Sequence, residues 1–198
     1  MALTLNGSNN TIAGVAVGGF PDGIVDTDML AASAVTAAKA SGSVKGITEA
    51  DQWRITSTFS ASDAYITANW ERNDVNFDKI GTGMTESSGV FSFPSTGKYL
   101  INYTGNIHSQ NEQRFVGVRL YITDDNSNYN NRADAGSSVQ DDGSFWFYAN
   151  FSLDYILDVT NTTNVKVKFY AHATNTANYN GDSTKQANGV TFIKLGDT

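Results

Sequence analysis

Apolar and polar residues alternate with a period of two along much of the chain, which is the mark of half-buried strands. In Phe115–Ile122, the side chains of Val116, Val118, Leu120 and Ile122 fall on one face, the expected core face. Val165–Ala171 alternates in the same way. Phe145–Tyr155 puts Phe145, Phe147, Phe151 and Leu153 on one side and Trp146 and Tyr148 on the other. Shorter strands are expected at Trp53–Thr56, Ile66–Trp70 and Val190–Leu195. The run Gly89-Val90-Phe91-Ser92-Phe93 stops at Pro94, which cannot donate to a sheet ladder. Gly97 permits a turn, and Tyr99–Thr104 resumes as an aromatic, β-branched strand, so a hairpin is predicted here. Short strands at regular intervals with polar loops predict an all-β sandwich or jelly roll over residues 46–198.

Residues 1–45 follow a different pattern and carry a single aromatic, Phe20. Leu3 and Leu5 flank Thr4, Asn6-Gly7 turns, and Thr11–Val17 runs on as a thin apolar strand. Asp26-Thr27-Asp28 supplies capping residues for Met29–Lys39, an Ala-rich stretch ending in lysine that predicts a short helix. Its side chains are too small to build a core. This segment is expected to order by packing on other copies or another protein, as an anchor or stalk.

Charge and cysteine narrow the partners. The 198 residues carry a net charge of −7 and no cysteine. Disulfides, thiolate zinc sites and cysteine nucleophiles are excluded. Without clustered Lys and Arg, duplex nucleic acid is not an expected partner. There is no basic leader and no apolar run of membrane-spanning length, so neither export by a signal peptide nor membrane insertion is expected. Trp146, Tyr148 and Tyr170 lie opposite the expected core face and call for a second buried surface. A self-associating interface, in which aromatics are favoured, is the simplest one.

Catalytic chemistry finds no foothold. His108 and His172 have no ligand spacing between them, and no Gly-x-Ser-x-Gly elbow exists. Gly81-Thr82-Gly83 lacks the third glycine of a dinucleotide loop and reads as a turn. Asp124-Asp125-Asn126-Ser127-Asn128 opens like a calcium loop, but Tyr129 stands where glycine is needed and Ala135 where a bidentate glutamate belongs. A looser calcium site, using Asp124 and Asp125 with Asp134 or with Asp141 and Asp142, is weighed against a plain acidic loop with an Asp-Gly turn at Asp142-Gly143. The plain loop is favoured, and no cofactor is expected.

Gly89-x-Phe91-x-Phe93-Pro94-x-x-Gly97-x-Tyr99 resembles the hallmark of the complement C-one-q globular heads, relatives of the tumour-necrosis-factor jelly rolls. Phe151–Tyr155 leading to Asp158 and Val165, and the closing Asn188–Leu195, resemble two further landmarks of that family. The likeness spans about Trp53 to Leu195, and Asp158-Val159-Thr160-Asn161 replaces the family's Gly-Asp turn. It implies a ten-stranded jelly roll assembled as a homotrimer. Leu3–Ser8, Gly23–Leu30 and Ala34–Lys39 resemble leader and stalk segments of phage fibre proteins, of the marine cyanobacterial phage type. That likeness implies a virion protein assembled in the host cytoplasm. Residues 1–45 would attach to other virion proteins, and the head would engage a host-surface glycan or protein without enzymatic chemistry. Tyr129, Asn130, Asn131 and Arg132 are the candidate binding patch on a distal loop. Trp146, Tyr148 and Tyr170 are the candidate trimer contacts. The alternatives are a capsid or tail decoration protein with no receptor and, further off, a surface-glycan hydrolase.

Overall fold

The computed structural model describes residues 4–6, 11–13, 46–140 and 145–198. The chain divides into two compact units, Met1–Lys45 and Gly46–Thr198. In the first, β1 (Thr4–Asn6) and β2 (Thr11–Ala13) pair antiparallel, with Leu5 opposite Ile12. The helix expected over Met29–Lys39 lies outside the described residues.

The second unit is built from β3 (Ala50–Ile55), β4 (Ser57–Tyr65), β5 (Trp70–Arg72), β6 (Lys79–Ile80), β7 (Thr85–Ser87) and β8 (Val90–Ser92). They are followed by β9 (Gly97–Ser109), β10 (Gln113–Thr123), β11 (Asn130–Val139), β12 (Phe147–Val159), β13 (Lys166–Asp182) and β14 (Gly189–Gly196). One layer runs β12-β9-β14-β3, and the other runs β8-β13-β10-β11, with every pairing antiparallel. The first is called sheet one below and the second sheet two.

β13 serves both layers. Its first half pairs with β10, while Asn178 and Tyr179 pair with His108 and Ile107 of β9. β4 accompanies it from Tyr65 opposite Tyr170 to Ser57 opposite Asp182. The register skips between His172 and Ala177, an irregularity of the kind that lets paired strands bend from one layer to the next.

The core between the layers is apolar and aromatic. Phe91 meets Phe169 at 5.9 Å and Phe192 at 5.3 Å, and Tyr103 meets Phe169 at 5.0 Å. Val116, Val118, Leu120 and Ile122 point inward as their alternation required. Each buried side chain of this size contributes about 1.5–3 kcal/mol. The one buried acid of this region, Asp51, accepts hydrogen bonds from Trp53 Nε1 at 2.9 Å, Met84 N at 2.6 Å and Arg72 Nε at 3.0 Å.

Three expectations are corrected. Phe93-Pro94 does not close a hairpin. β8 pairs with β7 and β13, whereas β9 pairs along its length with β12 and with β14. The segment instead crosses from sheet two to sheet one, held by Tyr99 Oη donating to the Ser95 carbonyl at 3.1 Å and by Phe93 against Tyr99 at 4.8 Å. Ile66–Trp70 is not a strand either, because Asn69 adopts φ 63° and turns the chain between β4 and β5. Phe145 precedes β12 and is 68% exposed, so the alternation that buries Phe151 and Leu153 does not reach it.

Candidate binding surfaces

The outward face of sheet one is assembled from alternate residues of its strands. Lys98, Leu100, Asn102, Thr104, Asn106 and His108 face out from β9, while their chain neighbours are buried. Strand register sets them in rows. Ile156, Leu100 and Ile193 form one row, and Asp154, Asn102, Thr191 and Gln52 form the next. Asn102 Nδ2 donates to Asp154, and Gln52 Nε2 to Thr191 Oγ1 at 3.0 Å. Asn106 Nδ2 donates to Asn150 Oδ1 at 2.7 Å, Asn180 Nδ2 donates in turn to Asn106, and His108 Nδ1 meets Asn180 Oδ1 at 2.5 Å. The face is therefore mostly neutral, with amides along its middle.

Apolar groups lie toward its two ends, with Lys98 opposite Asp158 beyond the first of them. Ile156 is 62% exposed at one end; Trp146, 49% exposed, and Tyr148, 67% exposed, flank the His108 ring at 4.9 and 5.8 Å at the other. β12 forms the border of this sheet over all 13 residues, pairing only with β9 among the described strands. A groove of about 590 Å³ beside it is lined by Thr104, Asn106, Asn150, Ser152 and Gln186. The buried Gln186 Oε1 has no hydrogen-bond partner among the described residues.

Sheet two presents a different outer face. Tyr65 of β4, Tyr121 of β10 and Tyr170 of β13 make a closed triangle of ring contacts at 5.3, 5.0 and 5.6 Å. Lys168 Nζ lies 5.2 Å from the Tyr65 ring centre and 3.8 Å from that of Tyr129. The nearby charges are already paired. Arg119 Nε donates to Asp134 at 2.8 Å, and His172 Nδ1 meets Asp63 at 2.5 Å. Burial raises the Tyr65, Tyr129 and Tyr170 hydroxyls above the ordinary phenol value, so they stay neutral donors at physiological pH.

The residues singled out in the sequence separate. Trp146 and Tyr148 stand at sheet one, but Tyr170 stands on sheet two, so the three do not share a surface. Tyr129 joins Lys168, and Asn131 Nδ2 donates to Asp134 at 3.0 Å. Asn130 pairs with Ile122, and Arg132 lines a cleft with Asp124, Tyr155 and Asp158. Their loop is also not at the far end of the sandwich. Asn126 N donates to Asn164 O at 3.1 Å beside the start of β13, at the end where β3 begins and opposite the Ser109–Gln113 turn.

Asp125 spends its oxygens on its own loop, accepting from Ser127 N at 2.8 Å, Asn128 N at 2.7 Å and Thr123 Oγ1 at 2.9 Å. Those bonds, led by Asn128, hold its carboxyl well below the usual range. Among the described residues no three His, Asp or Glu side chains gather as a metal site, and Asp141 and Asp142 lie outside those residues. Tyr65, Tyr121 and Lys168 had no place in the sequence-based site. Lys168 and Tyr170 were legible as alternate outward positions, but Tyr65 sits on a strand with too few large apolar residues to declare itself.

Two layers joined by this strand order make a jelly roll of the tumour-necrosis-factor type, as the Gly89–Tyr99 landmark implied. The Eiger tumour necrosis factor of S. frugiperda superposes with a TM-score of 0.61 at 14% identity, over 75% of this chain and 93% of that one. Murine APRIL superposes with a TM-score of 0.54 at 11% identity, over 74% of this chain and 98% of that one. The globular domain of zebrafish complement 1qA follows with a TM-score of 0.48 at 10% identity, over 76% of this chain and 99% of that one. No protein-family model and no curated protein matches the chain.

Proposed function

We propose that this chain is a non-enzymatic, homotrimeric virion protein of fibre or spike type. Residues 1–45 attach it to other virion proteins, and residues 46–198 form a head that binds a host-surface glycan or protein. The observation that carries the proposal is the outer face of sheet one. It combines an apolar row at Ile156, Leu100 and Ile193, a mostly neutral middle and the long open border of β12. A long open border invites pairing or cover, and low charge with apolar anchors suits a permanent interface. The jelly-roll fold and the family resemblance support threefold assembly. With sheet one occupied in this way, the tyrosine face of sheet two is left for a ligand.

The virion role rests on the fibre-like leader. Gold-labelled antibody against the head, viewed by electron microscopy on particles carrying this chain, should mark projecting appendages. Label confined to the capsid shell would instead favour a decoration protein.

A further inference from the structure

The tyrosine face holds a cation that no carboxylate of the described residues answers. Lys168 Nζ is held between the rings of Tyr129 and Tyr65, while the neighbouring Arg119 and His172 each have an acidic partner. Ring faces stabilise an ammonium but leave N–H donors unspent. Tyr65, 39% exposed, and the half-buried Tyr121 and Tyr170 extend the same surface with apolar rings and phenol hydroxyls. The surface is a sheet face, suited to a chain lying across it.

We propose, building on the binding-head function, that this face binds an acidic polysaccharide, with an anionic group on a pyranose ring seated at Lys168. The anion would complete the ammonium's hydrogen bonds. The sugar's C–H face would lie on the tyrosine rings, and its hydroxyls would bond to the phenol hydroxyls. An anionic ligand also explains why a cation is kept unpaired on a chain of net charge −7. Charged groups on a binding surface are arranged to meet the opposite sign on the partner.

The test uses the full chain and four immobilised glycans: oligogalacturonate, a sulfated galactan, and their neutral counterparts, methyl-esterified oligogalacturonate and unsulfated galactan. Binding is expected to one or both acidic probes, and the pair separates a carboxylate source from a sulfate source. Lys168→Gln should weaken it about tenfold or more, the size of a lost charge-assisted contact. Lys168→Arg should keep most of it. Tyr129→Ala should weaken it with the assembly mass and melting temperature unchanged, which separates site from fold. Equal binding by Lys168→Gln would overturn the site. Binding to the neutral glycans alone would overturn the anionic ligand while leaving a glycan-binding head. Capture of an unglycosylated host surface protein through the tyrosine face, with no glycan bound, would overturn the ligand class and keep the head. No binding to any glycan or to isolated host envelopes would overturn the binding-head function itself.

Discussion

At the residue scale, Asp51 is a costly side chain to lose. Its carboxylate, 1% exposed, satisfies the Trp53 indole, the Met84 amide and the Arg72 guanidinium, which itself lies 4.7 Å over the Trp53 ring. Removing one partner of a buried ion pair strands the rest at about 3–5 kcal/mol. Asp51→Ala should therefore lower the unfolding free energy from urea titration by that order, and a loss below about 1 kcal/mol would contradict the assignment. Asp182 predicts a pH effect of definite sign. Hydrogen bonds from Thr184 hold its carboxyl at about 2, below the unfolded value of 3.8. Its contribution is thus complete above the unfolded value and is lost as pH falls toward the folded one. Urea midpoints should decline between those two values, and Asp182→Asn should flatten that part of the profile. An unchanged slope would count against the Thr184 bonds.

At the scale of the element, the turn between β7 and β8, which leads into the crossing from β8 to β9, is a demanding piece of backbone. Gly89 sits at φ 81°, and a Cβ there would run into the Ile66 carbonyl. Gly46 has φ 68° but no atom of the described residues within 4 Å of a Cβ there. Gly46→Ala should cost only the left-handed backbone, about 1–2 kcal/mol, while Gly89→Ala should cost that and the clash with the Ile66 carbonyl as well, and so clearly more. Equal losses in chemical denaturation would show that the Ile66 contact does not matter. The same crossing shows what the sequence could and could not convey. Pro94 rightly ends one strand and Gly97 rightly starts the next, but local turn chemistry does not choose the strand's partner. That choice is made by distant residues such as Val167 opposite Phe91 and Tyr155 opposite Ile101. The inward faces of β9, β10 and the first half of β13 were legible because large apolar side chains alternate there. β4, β11 and the end of β13 are built mostly from Ser, Thr, Asn, Ala and Gly, whose strand character comes from ladder hydrogen bonds to neighbours. The tyrosine cluster stayed hidden for the same reason, since it forms only when β4 pairs with β13.

At the scale of the whole molecule, the proposed function divides the work between the two outer faces. Sheet one offers an apolar row and an open border, and sheet two offers rings and an unanswered ammonium. Assembly through the first would present three copies of the second, and linked sites turn weak contacts into strong attachment. Ile156 is the position at which to break the assembly, since it is exposed in the single chain and stands on the border strand at the edge of the apolar row. Ile156→Glu should yield a folded monomer, with its melting transition retained and its mass reduced threefold. The decisive measurement is the mass of the unmodified full chain by light scattering at micromolar concentration. The proposed trimer requires three times the 21.3 kDa of one chain, and a mass of 21.3 kDa would contradict it.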